Sequence, residues 1–425
     1  MRGLLLVWAG ILVLTFAGRL FTTDVAAELE VSGSLIGARP FLSAEHGWTV
    51  QGSGSTEYVP HGIGYSLLLL PAAVIDTLAG SEAGKLAAAG LNSLFSLFLV
   101  AVWYLLARKW VSTARALRLI VLGISGMLAV YARMPYDITA ATAAALAGVF
   151  LMTEDKPLQA GLCLGLALLI RLDTIVLLPA FWPGMSERRK LLKLAYGVAP
   201  FLLLAGAANW FRFGSPFADG HAQDPAMAFS PLSGGLAGLL FSPGKGLIWY
   251  SPICVLAFFY NRDVRLWLPF VLSLVLHGMV HDWTGGTGWG PRFLVPALPL
   301  LLLPLTAAGK GGRLFWILAG IGVALLAVSS WSNTNALEQN LGPDLFDEPA
   351  RQSVLWNVFR SPLVSSFASF GRWPPELFGV HAATAAGLPT WIGFIAQAIT
   401  GAVLVLLGSR YLAERGIPAG QRASG

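Results

Sequence analysis

Residues 21–30 read FTTDVAAELE and set three carboxylates, Asp24, Glu28 and Glu30, directly behind an apolar run. Asp24 and Glu28 are four positions apart, so a helix through this stretch places both on one face and turns Glu30 away. A carboxylate held against an apolar wall, with little water, gains basicity and can take a proton from a hydroxyl within hydrogen-bond reach. The competing reading is a solvated acidic face ending a membrane helix, with Val25, Leu29, Leu35 and Ile36 making the segment amphipathic along the interface. Partners for such a base stand in other polar segments. STEYVPHGIGYS (55–66) carries Tyr58, His61 and Tyr65, and YARMPYD (131–137) carries Arg133 and Asp137. WFRFGSPFADGH (210–221) and FSPGKGLIWYSP (241–252) each set one cation, Arg212 and Lys245, among Gly, Ser, Pro and aromatic residues. HDWTGGTGWGPRF (281–293) adds His281, Asp282, Trp289 and Arg292. Isolated cations beside glycine suit a phosphate group held by backbone N–H groups and Arg or Lys. Each loop taken singly has a plainer explanation, since aromatic belts and snorkelling arginines are routine at membrane boundaries. Asp24, Asp137, His281 and Asp282 are chemically suited to a metal ion, but no spacing among them demands one.

The elements that must position these residues are membrane helices. Of 425 residues 56% are hydrophobic and only 12% charged, far below the roughly 25% charge of a soluble domain; mean hydropathy is +0.67. The formal charge of +6 is spread in short basic clusters between apolar runs, which marks cytoplasmic loops rather than a nucleic-acid surface. Cys163 and Cys254 lie in separate apolar segments and carry neither a disulfide framework nor metal-ligand spacing. Apolar runs at about 62–79, 86–107, 118–131, 138–152, 158–182, 194–210, 236–259, 264–281, 293–309, 314–331 and 390–408, with an uncleaved first helix over 2–20, predict roughly ten to twelve transmembrane or half-membrane helices. The expected fold class is therefore all-α and polytopic, with extracytoplasmic loops. The basic clusters at 107–118, 186–193, 261–265, 310–313 and 410–415 agree on one side only if 62–79 or 86–107 fails to span and 158–182 breaks near its middle. Arg171 and Asp173, mid-run in that last segment, suit such a break, because charge within a bilayer faces protein or marks interrupted helix. On this topology all the segments listed first face away from the cytoplasm. The expected organisation is a transmembrane domain over 1–331 with an outer catalytic loop at 21–61, a small outer loop or subdomain at 332–389, and a last helix and cytoplasmic tail over 390–425. Nucleotide and hydrolase signatures are missing: GGTGWG has neither a preceding strand nor the Lys-Ser/Thr ending of a phosphate loop.

In order along the chain, TTDVAAELE, YVPHGIGYS, YARMPYD, RLD (171–173), RFGSP, FSPGKGLIWYSP and WTGGTGWGPRFLVPALP resemble the motifs of the GT-C superfamily of polytopic glycosyltransferases. The likeness is to the bacterial branch similar to protein O-mannosyltransferases and lipid A aminoarabinose transferases. It covers about residues 1–310, the last two motifs being the most specific; beyond them only hydropathy matches. His61 stands near where many relatives carry Lys, and Asp137 where many carry Glu. The resemblance implies transfer of a sugar from a polyprenyl-phosphate donor to a glycan, lipid or protein acceptor on the outer face of the inner membrane, usually with inversion. It implies Asp24 as the base, with Glu28 second on the same face, and Arg292, then Lys245, Arg212 and His61, on the donor phosphate. Tyr58, Tyr65, Asp137, Arg133, His281, Asp282 and Trp289 are implied to line the substrate pocket, and no metal or other cofactor is implied. Two other classes fit the residues: a lipid or solute transporter using Arg171 and Asp173 as a pathway, and an inert family member assisting envelope assembly.

Overall fold

A computed structural model describes the chain except for residues 38–48, 54–55, 185–186, 219, 224–226, 231–233, 287, 308, 333–349, 371, 373 and 417–425. The described residues form helix after helix, and two short strands, Val50–Gln51 and Glu57–Tyr58, pair antiparallel within the loop after the first acidic helix. Four helices are long and apolar enough to cross a membrane: Ser81–Trp110, Arg188–Phe213, Gly312–Trp331 and Thr390–Gly416. At 1.5 Å per residue about 20 residues traverse the hydrocarbon layer, and the other apolar helices, Arg2–Thr15, Asp137–Thr153, Pro157–Ile170 and Val264–Gly278 among them, are shorter than that. The chain is a multi-pass helical membrane protein, as its composition predicts.

Several runs that read as single segments are interrupted, each at a polar or proline residue. Run 62–79 divides into Ile63–Leu68 and Leu70–Ala79, with Pro71 in the first turn of the second helix, where its missing N–H costs nothing. The 158–182 run stops being α-helical at Ile170; Arg171 is extended and Leu172–Gly184 continues as 3-10 helix. Run 236–259 becomes three short helices, Gly235–Phe241, Leu247–Tyr250 and Cys254–Tyr260, separated by SPGKG and SPI. After Arg292, prolines 296, 299 and 304 keep the chain in alternating 3-10 and α turns. Within 332–389 the described part holds the short helices Ala350–Trp356, Pro362–Ser369 and Phe378–Ala385. It packs on the body: Ser242 Oγ and the Gly244 N–H both donate to the Leu355 carbonyl.

The first and last helices are joined by close packing. A Cβ on Gly10 would stand 2.7 Å from the Gly401 carbonyl, the small-residue contact that lets membrane helices approach. Gln397 donates to the Val13 and Phe16 carbonyls at 2.7 and 2.9 Å. Arg133, expected in the substrate pocket, is instead buried between elements. Its guanidinium donates to the carbonyls of Thr15, Ser329 and Glu376, each at 2.9 Å, and lies 4.9 Å from the Phe21 ring. Arg133→Ala strands three buried acceptors and opens a cavity, and is expected to cost about 3 kcal/mol or more. A lowered melting temperature in detergent, together with poor recovery of monodisperse protein, is the measurement that checks it.

Candidate active site

Asp24 sits in the first turn of Thr23–Leu35, capped by Thr22, whose hydroxyl accepts from the Val25 N–H. A carboxylate there complements the helix dipole. The same helix carries Glu28 one turn on, and Ser32 Oγ, poised between the Glu28 and Ser66 carbonyls at 2.8 and 2.7 Å, ties it to Ile63–Leu68. Gly64 makes a second close approach possible, because a Cβ there would stand 2.5 Å from the Ile170 nitrogen. The HGIGYS segment can thereby lie on the broken end of Pro157–Ile170, which brings His61 and Arg171 to one cavity. Asn92 fixes the third wall: its amide nitrogen contacts the carbonyls of Tyr131, Ala132 and Met134 at 2.9–3.0 Å, setting the corner from which Asp137 opens the next helix.

These elements enclose a cavity of about 1790 Å³ with a charged end and an apolar trough. At the charged end Arg292 Nη1 donates to Asp24 Oδ2 at 3.1 Å, and His61 Nε2 stands 3.9 Å from the same oxygen. The Arg292 guanidinium lies 5.5 Å from the Tyr136 ring, and its buried Nε has no partner among the described residues. Burial, the largest influence, pushes the Asp24 carboxyl up, but the charge and hydrogen bond of Arg292, with the charge of Arg171, hold the group below its ordinary value. Asp24 is thus ionised. His61 is lowered to about 4, by burial first and by His221 and Arg292 against the pull of Asp24 and Asp137; at neutral pH it offers hydrogen bonds rather than charge. The His221 ring stands edge-on to it at 5.2 Å.

A chain of charges forms the adjoining wall. Arg171 forks between Asp137, at 2.9 and 3.0 Å, and Asp173, at 3.1 and 2.7 Å. Asp173 is met from its other side by His277 Nε2 at 3.1 Å, and the His277 ring stacks on Phe293 at 4.4 Å. The bidentate geometry immobilises Arg171, so the charges at the helix break form a closed network rather than a single exposed pair. The trough beyond is lined by Ile175, Leu202, Leu203, Ala207, Phe217 and Leu276; Leu202, Leu203 and Leu276 are themselves exposed on the outside of the bundle.

Of the residues expected to form the site, Asp24, Glu28, His61, Asp137, Arg212, Asp282 and Arg292 line this cavity, whereas Tyr58, Tyr65, Arg133, Lys245, His281 and Trp289 do not. Arg212 spends its guanidinium on the Val59 and His61 carbonyls, at 3.0 and 2.8 Å, and on Asn209, and so holds the His61 loop. Lys245 lies behind the glycine loop, its ammonium donating to the Gly286 and Gly288 carbonyls. Burial above all, then Arg292 and Arg351, lower it to about 7 against Asp282. Positive φ values of 69° and 68° at Gly285 and Gly286 let the loop present those carbonyls, a backbone state open to glycine. Trp289 packs edge-on to Tyr250 at 5.1 Å, Tyr58 packs on Phe211 and Phe213, and the exposed His281 bonds the Ala228 carbonyl through its backbone.

Four residues at the site are ones the motifs did not single out. Tyr136, His221 and His277 line the cavity, and Arg351, from Ala350–Trp356, clamps Asp282 and the Thr284 hydroxyl at its rim. His277 alone carried a signal, as a polar ring inside the apolar 264–281 run. Among the described residues no group of three or more His, Cys, Asp or Glu side chains is gathered to hold a metal ion.

No family model matches the sequence, and no curated protein matches it either. Among solved structures, the chain is similar to ArnT from Cupriavidus metallidurans bound to undecaprenyl phosphate, with a TM-score of 0.52 at 14% identity over 95% of this chain and 75% of that one. The same protein in its apo state aligns with a TM-score of 0.48 at 13% identity, over 94% and 73%. The likeness to the first is one of fold, and it extends over almost the whole chain.

Proposed function

We propose that this chain is an integral-membrane glycosyltransferase that moves a sugar from a polyprenyl-phosphate donor to an acceptor hydroxyl, with Asp24 as the base and inversion at the anomeric carbon. The observation that carries the reading is a single cavity that joins an Asp24–Arg292 pair to a long apolar trough. A lipid-linked sugar phosphate has the same polarity, a charged head on an apolar chain, and the trough's exposed leucines offer the chain a way in from lipid. ArnT, which has this fold, was crystallised with undecaprenyl phosphate. In this reading the site faces the extracytoplasmic side of the plasma membrane, 1–331 is the catalytic domain, and the phosphate's charge is met by Arg292 with no metal assigned.

The step balances without a co-reactant. The acceptor oxygen forms a bond to the anomeric carbon as the bond from that carbon to the phosphate oxygen breaks; the proton goes to Asp24, and the electron pair leaves with the lipid phosphate. Donor binding also prepares the base. A phosphate taking Arg292 withdraws the contact that depresses the Asp24 carboxyl, so Asp24 becomes more basic when the donor is in place. The test is to incubate the purified chain with radiolabelled undecaprenyl-phospho-sugars and a membrane extract as acceptor source. Acceptor-dependent release of undecaprenyl phosphate, with label in a new product, is expected. Movement of intact donor between leaflets of a proteoliposome, with no labelled product, overturns the reading in favour of transport.

A further inference from the structure

Four of the basic clusters, at 107–118, 186–193, 261–265 and 310–313, meet at a second cavity, of about 880 Å³. Lys109, Lys190, Arg262, Arg265 and Lys310 line it against two carboxylates, Asp155 and Asp263. It lies at the opposite end of the bundle from Asp24. The 26-residue helix Arg188–Phe213 carries Lys190 at this cavity and Arg212 at the first, and at 1.5 Å per residue its length of about 39 Å is enough to cross a membrane. Val264–Gly278 repeats the arrangement, with Arg265 at one cavity and His277 at the other. The walls are fixed by buried contacts rather than by the lining cations. Arg118, buried in the helix Ala116–Ser125, donates to the Leu305 and Lys310 carbonyls and lies 3.8 Å from the centre of the Phe315 ring. The Arg115 N–H donates to the Thr306 carbonyl at 3.0 Å.

Positive charge is left over in this cavity. Lys109 pairs with Glu154, Lys190 with Asp155 and Arg265 with Asp263. Arg262 and Lys310 have no carboxylate partner among the described residues; the Lys310 ammonium lies 5.3 Å from the ring of Tyr260, itself part of the lining. Loops that only mark one side of a membrane need cations in the sequence, not cations folded around a common space. We propose that this cavity binds the phosphate headgroup of an anionic phospholipid in the leaflet opposite the candidate active site. Two unpaired cations suit the single charge of a phosphodiester, and Ser112 and Thr113 add hydroxyl donors to the same lining. Phe259, Val264 and Trp267, next in the chain to Tyr260 and Arg265, are exposed on the outside of the bundle and offer the acyl chains an apolar face. A free pyrophosphate or nucleotide brings more charge and has no use for that face. Basic pockets between membrane helices hold acidic lipid headgroups by the same combination. The proposal is independent of the transferase reading, since no residue lines both cavities.

The test titrates the full-length protein in detergent with phosphatidylglycerol, and in parallel with phosphatidylcholine of the same acyl chains, and follows bound lipid by native mass spectrometry. Wild-type protein is expected to hold phosphatidylglycerol about tenfold or more tighter than phosphatidylcholine. Arg262→Gln and Lys310→Gln are each expected to weaken that binding about fivefold, and together roughly 25-fold, the scale of one basic residue against an acidic lipid. Both side chains are exposed, so their replacement leaves the fold as it is. The double variant Arg188→Gln/Arg189→Gln removes the same charge close to Lys190 but outside the cavity, and is expected to stay within about twofold of wild type, as screened charge does. Equal binding of the two lipids, or an equal loss in Arg188→Gln/Arg189→Gln, overturns the site in favour of a general attraction to the basic face. Displacement of phosphatidylglycerol by millimolar pyrophosphate, under conditions where sodium chloride of equal ionic strength leaves it bound, overturns the lipid as ligand and makes the cavity a site for soluble phosphates.

Discussion

Asp24→Asn is expected to lower kcat/KM for sugar transfer by about 1000-fold, within the range for loss of a positioned general base, while leaving folding intact. Asparagine keeps the volume of the carboxylate and can still accept the Arg292 hydrogen bond seen at 3.1 Å, so the helix start and the loop that carries Arg292 retain their contacts. What disappears is the proton acceptor. Removing the negative charge also frees Arg292 for the phosphate, so the donor KM should stay level or fall even as kcat collapses. Initial rates over a range of donor concentrations check the split, with the melting curve and elution profile of the variant as controls. Retained turnover moves the base to another residue.

Arg292→Ala is expected to cost about 100- to 1000-fold in kcat/KM, the scale of losing a group that stabilises developing charge, with most of the loss in donor binding. A second signature follows from the Asp24 pair. Burial is the largest influence on the Asp24 carboxyl and raises it, and Arg292 supplies most of the opposing pull that keeps it depressed; without Arg292 that carboxyl rises. In the proposed mechanism the ionised form is the active one, so the acid limb of the pH–rate profile, which then marks protonation of Asp24, is expected to move to higher pH in the variant. The limb is read from kcat/KM across the acid range, and an unmoved limb in Arg292→Ala disconnects the pair from catalysis.

Much of the site was legible in the sequence because its chemistry is concentrated in short, unusual stretches. FTTDVAAELE, HGIGYS and GPRF each set charge beside glycine or aromatic residues in a chain that otherwise avoids charge, and Asp24, His61 and Arg292 converge. The break at Arg171 was legible for the same reason, since an unpaired charge is costly in a membrane. Distance along the chain hid the rest. Lys245 sits in a loop as rich in glycine as that of Arg292, and only packing shows its ammonium turned to the Gly286 and Gly288 carbonyls. Arg133 looked like a pocket cation, yet its three acceptors come from residues 118, 196 and 243 positions away. Arg351 reaches the rim from a segment with no motif, across 69 residues from Asp282. Pairings of that kind leave no periodicity to read.

The contact between the helices Arg2–Thr15 and Thr390–Gly416 carries a consequence for biogenesis. Gln397 binds the carbonyls of Val13 and Phe16 across as many as 384 residues, and Arg133 grips Thr15 only together with Ser329 and Glu376. Asp24 follows that first helix by a short turn. Its anchor is therefore incomplete while the nascent chain still lacks the Thr390–Gly416 helix, and an early helix must wait in the bilayer for a late partner. Asp24 is therefore fixed in place only after the helix that begins at Thr390 has docked on the one that ends at Thr15.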